Sequence, residues 1–254
     1  MKNVTKMVTA VAILIIASAT LAEEAELGFS AGADYLGKYI WRGQNLSDDP
    51  VFQPSVGMSY GPVSLSLWGN MDTTNINGNS GDFSELDTTL GIAGNIPGIE
   101  GVSYTAGAIY YDFPGTSYPD TVEIYAGLSL ALPLSPSLTI YRDVDEAKGT
   151  YYSFGVSHTI EKIADLGCNT LVGMSAGASI GYANSAYNKY YWGVDSSEVQ
   201  DLTLSLAFPA TIGGWTVTPK MGYSKLLSSD IKDSDAYGTS SDNFFAGIGV
   251  SVSF

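Results

Sequence analysis

Apolar and polar residues alternate along most of this chain, and they do so most regularly in its last stretch. From Phe244 to Phe254 every second residue is apolar, and the residues between them, after Phe245, are glycine or serine. A period of two is typical of a β-strand with one apolar face and one small or polar face. The pattern therefore predicts a final strand that runs to the last residue.

Eleven earlier stretches alternate in the same way, which predicts an all-β fold of about twelve strands. Their predicted bounds are Leu27–Trp41, Val51–Tyr60, Val63–Met71, Ser84–Asn95, Val102–Asp112, Thr121–Leu132, Leu138–Asp143, Thr150–Thr159, Asn169–Tyr182, Glu198–Phe208 and Trp215–Tyr223. Most have close to the roughly 9–11 residues with which a tilted strand crosses a membrane. We therefore predict an antiparallel transmembrane β-barrel.

The lengths of the connections support a barrel. Short turns alternate with longer segments rich in Asp, Asn, Ser and Gly, which span residues 72–83, 183–197 and 224–241. Short periplasmic turns and longer external loops are typical of outer-membrane barrels. The segment from Ile160 to Gly167 is an exception, because it falls on the periplasmic side and is longer than a tight turn.

Residues 1–22 have the features of a cleaved signal peptide. Two lysines precede an apolar run from Val8 to Ala19, and small residues follow up to Ala22. That run is shorter than the about 20 residues of a membrane-spanning helix, and no later segment approaches this length. We expect cleavage after Ala22, export, and one barrel domain of residues 23–254 that crosses the outer membrane with strands alone.

The charge of the chain narrows its partners. Lys and Arg number 11 and Asp and Glu number 26, which gives a formal net charge of −15. Nucleic acid is a very poor partner for such a chain. Two interpretations of the acidic excess stay open: it favours cations in the mouth or lumen, or it keeps the external loops solvated.

The last residue resembles an assembly signal. Bacterial outer-membrane barrels often close with a strand that ends on phenylalanine, as this chain does at Phe254. The resemblance implies recognition by the outer-membrane assembly machinery, and it implies outer-membrane lipid as the surroundings of the folded barrel.

The segment from Ala33 to Gln53 resembles the N-terminal motif of the TorF-type outer-membrane porins. The motif has an aromatic-Arg-Gly group, then Ser-Asp-Asp-Pro and a glutamine. The matching residues are Trp41, Arg42, Gly43, Ser47, Asp48, Asp49, Pro50 and Gln53. Two roles for Arg42 stay open: a bidentate pair with Asp48 or Asp49 that pins the first external loop, or a place in the constriction of a pore.

Polar residues on the faces opposite the apolar ones are expected to line a narrow lumen. Twelve strands lie between the roughly 8 that side chains can fill and the roughly 16–18 of wide channels. The predicted lining residues are Asp34, Glu85, Asp87, Glu123, Arg142 and Lys220. Arg142 is the candidate for the constriction. Such mixed charges either select small hydrophilic solutes or brace the barrel as a salt-bridged plug.

Catalysis finds little support. The only histidine, His158, shares a face with the apolar Phe154 and Val156 and has no evident serine and carboxylate partners. One histidine and one cysteine, Cys168, exclude a metal site of the His/Cys type, and we expect no cofactor.

The function that we predict is passive diffusion of small polar solutes or ions across the outer membrane. The alternative from another class is a closed structural or adhesive barrel that acts through its external loops. Tyr190, Tyr191 and Trp192 in one long loop are either loop-packing residues or a platform for a ligand. The oligomeric state stays open.

Overall fold

The computed structural model of the protein describes residues 25–78, 80–236 and 240–254, so the predicted signal peptide lies outside the described residues. The described residues form fifteen strands and two short helices. In chain order the strands are β1 (Leu27–Leu36), β2 (Tyr39–Trp41), β3 (Gln44–Ser47), β4 (Val51–Tyr60), β5 (Val63–Asp72), β6 (Phe83–Asn95), β7 (Val102–Asp112), β8 (Thr121–Leu130), β9 (Ser137–Asp143), β10 (Thr150–Asp165), β11 (Leu171–Ala183), β12 (Glu198–Ala207), β13 (Ala210–Ile212), β14 (Trp215–Leu226) and β15 (Asp242–Ser253). The helices are α1 (Ser185–Trp192) and α2 (Ser229–Ser234).

The large sheet closes on itself as a barrel of twelve antiparallel strands. β1 pairs with both β4 and β15, and β10 pairs with β11, so neither side of the sheet is left as an edge. β12 and β13 share one position, because both pair with β11 and β14. Pro209, which has no backbone N–H to donate, lies in the break between them. The predicted fold class is confirmed.

The long connections lie at one end of the barrel, which we call the loop end, and the short ones at the other, the turn end. One connection differs from its prediction. β10 continues to Asp165 through a register shift between Ile160 and Ala164. The turn that follows is short, so the exception in the pattern of connection lengths disappears.

The outward face of the barrel is apolar and exposed. Its exposed large side chains include Leu27, Phe29, Val56, Met58, Leu65, Leu67, Leu128, Phe154, Leu204 and Ile248. A band of such residues around a closed barrel is the surface that lipid tails cover, so this is a transmembrane barrel. Among the described residues, no helix is both long and apolar enough for a membrane span.

The first strand is shorter than predicted. β1 ends at Leu36, and the chain then turns into the barrel as β2 and β3, which form a separate two-stranded sheet. Gly37 and Lys38 form the break between β1 and β2. The expected single strand from Leu27 to Trp41 is therefore wrong, because the alternation of Tyr39–Trp41 belongs to a hairpin inside the lumen.

The two halves of the lumen differ in filling. At the loop end, the β2–β3 hairpin lies inside the barrel and each helix packs there with one side: Tyr187 of α1 and Ile231 of α2 are almost completely buried, whereas most of α2 is exposed. At the turn end the inward faces carry mainly serine, threonine and glycine. Inward-facing serines that are nevertheless exposed include Ser30, Ser59, Ser64, Ser205, Ser251 and Ser253. The turn half of the lumen is therefore hollow.

Candidate functional site

Five of the six predicted lining residues point into the barrel: Asp34, Glu85, Asp87, Glu123 and Lys220. Near the middle of the barrel, Lys220 Nζ donates to Asp34 Oδ1 at 2.6 Å. Gly249 lies between the two strands that carry them, and a Cβ there would be 2.2 Å from Asp34 Oδ1. Glycine at this position is therefore what allows the ion pair to cross β15.

Arg142 is a correction to the predicted set. It shares the outward face of β9 with Leu138 and Ile140, it is exposed, and its register partner on β8 is Ile124. Its guanidinium donates to Thr150 Oγ1 at 3.0 Å. The period of two places Arg142 on the same face as the apolar residues of β9. The prediction that Arg142 lines the lumen did not follow from this pattern and is wrong.

A buried cation inside the loop half is Arg42, at the tip of the β2–β3 hairpin. Trp41 pairs with Gln44, which leaves a two-residue turn of Arg42 and Gly43. Both have positive φ, 47° and 80°, as a type I′ hairpin turn requires. A Cβ on Gly43 would lie 2.7 Å from Leu226 Cδ2 and 2.9 Å from Asp201 Cβ, so only glycine fits.

The Arg42 guanidinium forms a bidentate ion pair with Glu123 across the lumen. Its Nη1 and Nη2 donate to the two carboxylate oxygens at 2.8 and 2.7 Å, and the side chains are 9% and 1% exposed. Tyr111 also donates to Glu123, at 2.9 Å. Burial alone would lower the pKa of Arg42, but the attraction of Glu123 raises it well above its ordinary value.

Aromatic rings surround the same guanidinium. Its central carbon lies 4.4 Å from the ring centroid of Trp41, 4.3 Å from that of Tyr141 and 4.6 Å from that of Tyr151. Tyr187 of α1 is 5.9 Å away and packs on Tyr151. Desolvated cation–π contacts of this kind add to the ion pair. We call Arg42, Glu123 and these four rings the arginine cage.

The remaining motif residues hold the first loop in place. Arg42 does not bond Asp48 or Asp49, so the expected partner was wrong. Asp48 instead accepts from Lys38 and Asn45, which lower its pKa. Asp49 accepts from Thr74 in the next loop.

Two contacts join the end of the motif to β5 and the loop after it: the carbonyl of Pro50 accepts from Thr73, and Gln53 donates to Asn70 Oδ1 at 2.9 Å. Within the motif, Ser47 donates to the carbonyl of Asp49. The hairpin is thereby fixed at its base as well as at its tip.

Sequence reasoning missed several inward-facing groups. Tyr141 and Tyr151 lie in the polar phase of β9 and β10, so the alternation offered a signal for them. Three buried carboxyl groups, on Asp72, Asp143 and Asp201, face inward in addition to the four predicted ones. Among the described residues, acidic groups inside the barrel therefore outnumber the basic ones, Arg42 and Lys220.

A cavity of about 940 Å³ lies at the loop end, between the hairpin, α1 and the loops that follow β5 and β7. Its aromatic walls are Tyr39, Trp41, Tyr111, Phe113, Tyr118, Tyr190 and Tyr191, and its carboxyl groups are Asp48, Asp72 and Glu85. We call it the vestibule. Tyr190 and Tyr191, expected either to pack the loop or to form a ligand platform, are part of its wall.

The predicted terminal aromatic residue continues the pairing of the closing strands. Phe254 and Phe29 exchange two backbone hydrogen bonds, of 2.8 and 3.0 Å, and their rings stack with centroids 6.1 Å apart. The Phe254 side chain is 76% exposed on the outside of the barrel. A role in assembly stays a prediction.

No protein-family model matches the sequence, and neither does a curated protein. Among solved structures, the fold is similar to that of a KdgM porin, with a TM-score of 0.51 and 11% identity over 89% of this chain and 99% of that chain. The KdgM porin in complex with disordered oligogalacturonate gives a TM-score of 0.50 and 10% identity over the same shares. At such identities the likeness shows the fold, which is that of outer-membrane porins.

Proposed function

We propose that the protein is an outer-membrane diffusion channel for small hydrophilic solutes, with a preference for cations. The observation that carries the proposal is the hollow turn half of the lumen, which small polar residues line inside a membrane-spanning barrel. A lumen that only braced the barrel would be filled by side chains along its whole length. Serine and threonine side chains line the way for water from the turn end towards the arginine cage.

The proposed preference for cations rests on the excess of acidic over basic side chains that face the lumen. Four inward carboxyl groups were predicted and three more are present, against Arg42 and Lys220. Rings of acidic side chains favour cations in a pore. One similar structure holds oligogalacturonate, a chain of sugars that carry carboxylates. Its charge has the wrong sign for these walls, so we propose different solutes for this channel.

The proposed location follows from the same features. Export through the predicted signal peptide of residues 1–22, and insertion guided by Phe254, would place the short turns in the periplasm and the vestibule outside the cell. The Trp41–Gln53 motif, which resembles that of the TorF-type porins, would then belong to the first external loop.

A second candidate, a closed barrel without conductance, is favoured by the arginine cage. The hairpin and the buried side chains of the helices pack together in the loop half, and Arg42 bridges the lumen to Glu123. Such a barrel would act through its external loops.

Conductance of the signal-cleaved protein in a planar bilayer decides between the two candidates. Stable single-channel steps, together with a reversal potential of the cation-selective sign in a KCl gradient, are expected. Silence at all voltages would overturn the channel in favour of the closed barrel. Conductance steps with an anion-selective reversal potential would support a channel but refute its preference for cations.

A further inference from the structure

We propose that the vestibule is a binding site for small organic cations that carry N–H donors, such as protonated amines. The proposal deepens the proposed function, on which it rests for the route that the ligand takes through the barrel. Its evidence is the chemistry of the vestibule walls: aromatic faces, two carboxylates without a cationic partner, and three side-chain amides whose N–H groups already have acceptors.

Two carboxylates of the vestibule lack a positive partner among the described residues. Glu85 is 6% exposed and accepts from Tyr39 at 2.9 Å. Asp72 is 1% exposed and accepts from Asn70 and Asn77. Neither forms an ion pair, and the vestibule wall contains no lysine or arginine within the described ranges. A bound cation would supply the positive counter-charge that these two carboxylates lack.

The side-chain amide donors at Asn45, Asn70 and Asn77 are committed to other protein groups. The Asn45 amide donates to Asp48 and Asn243, that of Asn70 to Asp72 and Ser84, and that of Asn77 to Asp72 and the Leu46 carbonyl. Asn45 itself is 5% exposed, and its side-chain oxygen has no partner in the described part of the chain. What these amides leave for a ligand is an acceptor, the side-chain oxygen of Asn45, and this favours a ligand that donates.

The aromatic walls favour the same class of ligand. Tyr118, Tyr190 and Trp41 come from three different loops and line one space. The face of an aromatic ring attracts a cation. A volume of about 940 Å³ is within the roughly 300–1,000 Å³ of small-molecule sites. An anion would meet the carboxylates, and a neutral polyol would leave them without a counter-charge.

Isothermal titration of the detergent-solubilised protein with 1,4-diaminobutane tests the proposal. Tetramethylammonium, glucose and glucuronate serve as a cation without donors, a neutral polyol and an anion. We expect diaminobutane to bind at least tenfold more tightly than tetramethylammonium, and glucose and glucuronate to give no saturable heat. No binding of diaminobutane, or equal binding of glucuronate, would overturn the proposal.

Two variants locate the binding. Glu85→Gln keeps the shape and removes the charge, and it should weaken diaminobutane binding about tenfold or more. Glu100→Gln is the matched control, because Glu100 is exposed in the turn between β6 and β7, at the other end of the barrel from the vestibule. Tyr118→Ala removes a ring that is 66% exposed, so it should fold, and it should weaken binding as well.

The outcome is independent of conductance. Unchanged affinity in both Glu85→Gln and Tyr118→Ala would place any binding elsewhere and refute the site. A protein that conducts without binding diaminobutane refutes this inference alone, whereas one that binds it in the vestibule without conducting refutes the proposed function alone.

Discussion

Loss of the Arg42–Glu123 pair should widen the channel at the arginine cage. Arg42→Met removes both hydrogen bonds, of 2.8 and 2.7 Å, and leaves a carboxylate that is 1% exposed without its cation. Removing one partner of a buried pair costs about 3–5 kcal/mol. That free energy corresponds to a factor of roughly 100–5,000 in the equilibrium between the in-folded and the released hairpin.

Other contacts of the hairpin remain in the variant. The hydrogen bonds of Tyr39 to Glu85 and of Asn45 to Asn243 still hold its base. We therefore expect a hairpin tip that moves, rather than one that leaves the lumen for good. Single-channel recordings should show a larger mean conductance, more current noise and a stronger preference for cations, because one of two inward basic groups is gone.

Arg142→Met is the matched control. It makes the same chemical change on the outward face of β9, beside Leu138 and Ile140. Its conductance and reversal potential should equal those of the unmodified protein. If Arg42→Met also leaves both values unchanged, or if both variants change them alike, the hairpin is not the constriction.

A double-mutant cycle isolates the pair itself. Glu123→Gln keeps the shape of the side chain but leaves Arg42 buried without a counter-charge, so it should destabilise the barrel about as much as Arg42→Met does. The double variant should be more stable than the sum of the two effects implies, by a coupling energy of up to about 3 kcal/mol. Urea unfolding in lipid vesicles measures it, and additive effects would contradict a direct pair.

Three further changes test other parts of the structure. Lys220→Gln should raise the cation-to-anion permeability ratio, measured as a shift of the reversal potential in a KCl gradient; a shift of the opposite sign would contradict an inward Lys220. Gly43→Ala should lower the unfolding temperature by more than Gly193→Ala. Both residues have positive φ, which costs alanine about 1–2 kcal/mol, but of the two only Gly43 has atoms within 4 Å of an added Cβ, and overpacking adds about 1–3 kcal/mol. Equal effects would show that the hairpin tip has room for the methyl group. Phe254→Ser should reduce the fraction of protein that inserts into outer membranes, scored by heat-modifiable mobility, whereas Phe244→Ser, an equally outward aromatic change, should not; equal losses would assign the effect to hydrophobicity alone.

The barrel was predictable because its determinants are local. Each strand has its own alternation, and β4 and β7 have the predicted bounds. A transmembrane strand must present one face to lipid and one to the lumen, so its alternation can be recognised in the sequence without knowing which strands lie beside it. The extension of β10 beyond Thr159 was missed because charged residues and a register shift interrupt the alternation there.

The filling of the lumen was not predictable, because it depends on contacts that are distant in sequence. Arg42 and Glu123 are 81 residues apart, and nothing in the first loop alone indicates that its tip enters the barrel. The helices in the long loops are short, with caps at Asn184 and Ser228 that resemble ordinary loop residues. The outward orientation of Arg142, by contrast, was predictable from the alternation along β9. Arg142 was assigned to the lumen because it is charged, although its position in the alternation places it outside.

The division of the lumen into a hollow half and a filled half has an electrical consequence. Resistances in series divide an applied voltage in proportion to their size, so the narrow section around the arginine cage takes most of the drop. A unit charge that moves through the full drop gains about 2.3 kcal/mol per 100 mV. Arg42 lies in that section, and because its pair with Glu123 lies across the lumen, the field acts along the barrel axis on the hairpin tip that carries Arg42. One polarity pushes this tip towards the loop end and the other pushes it towards the hollow half. Current through the barrel should therefore rectify.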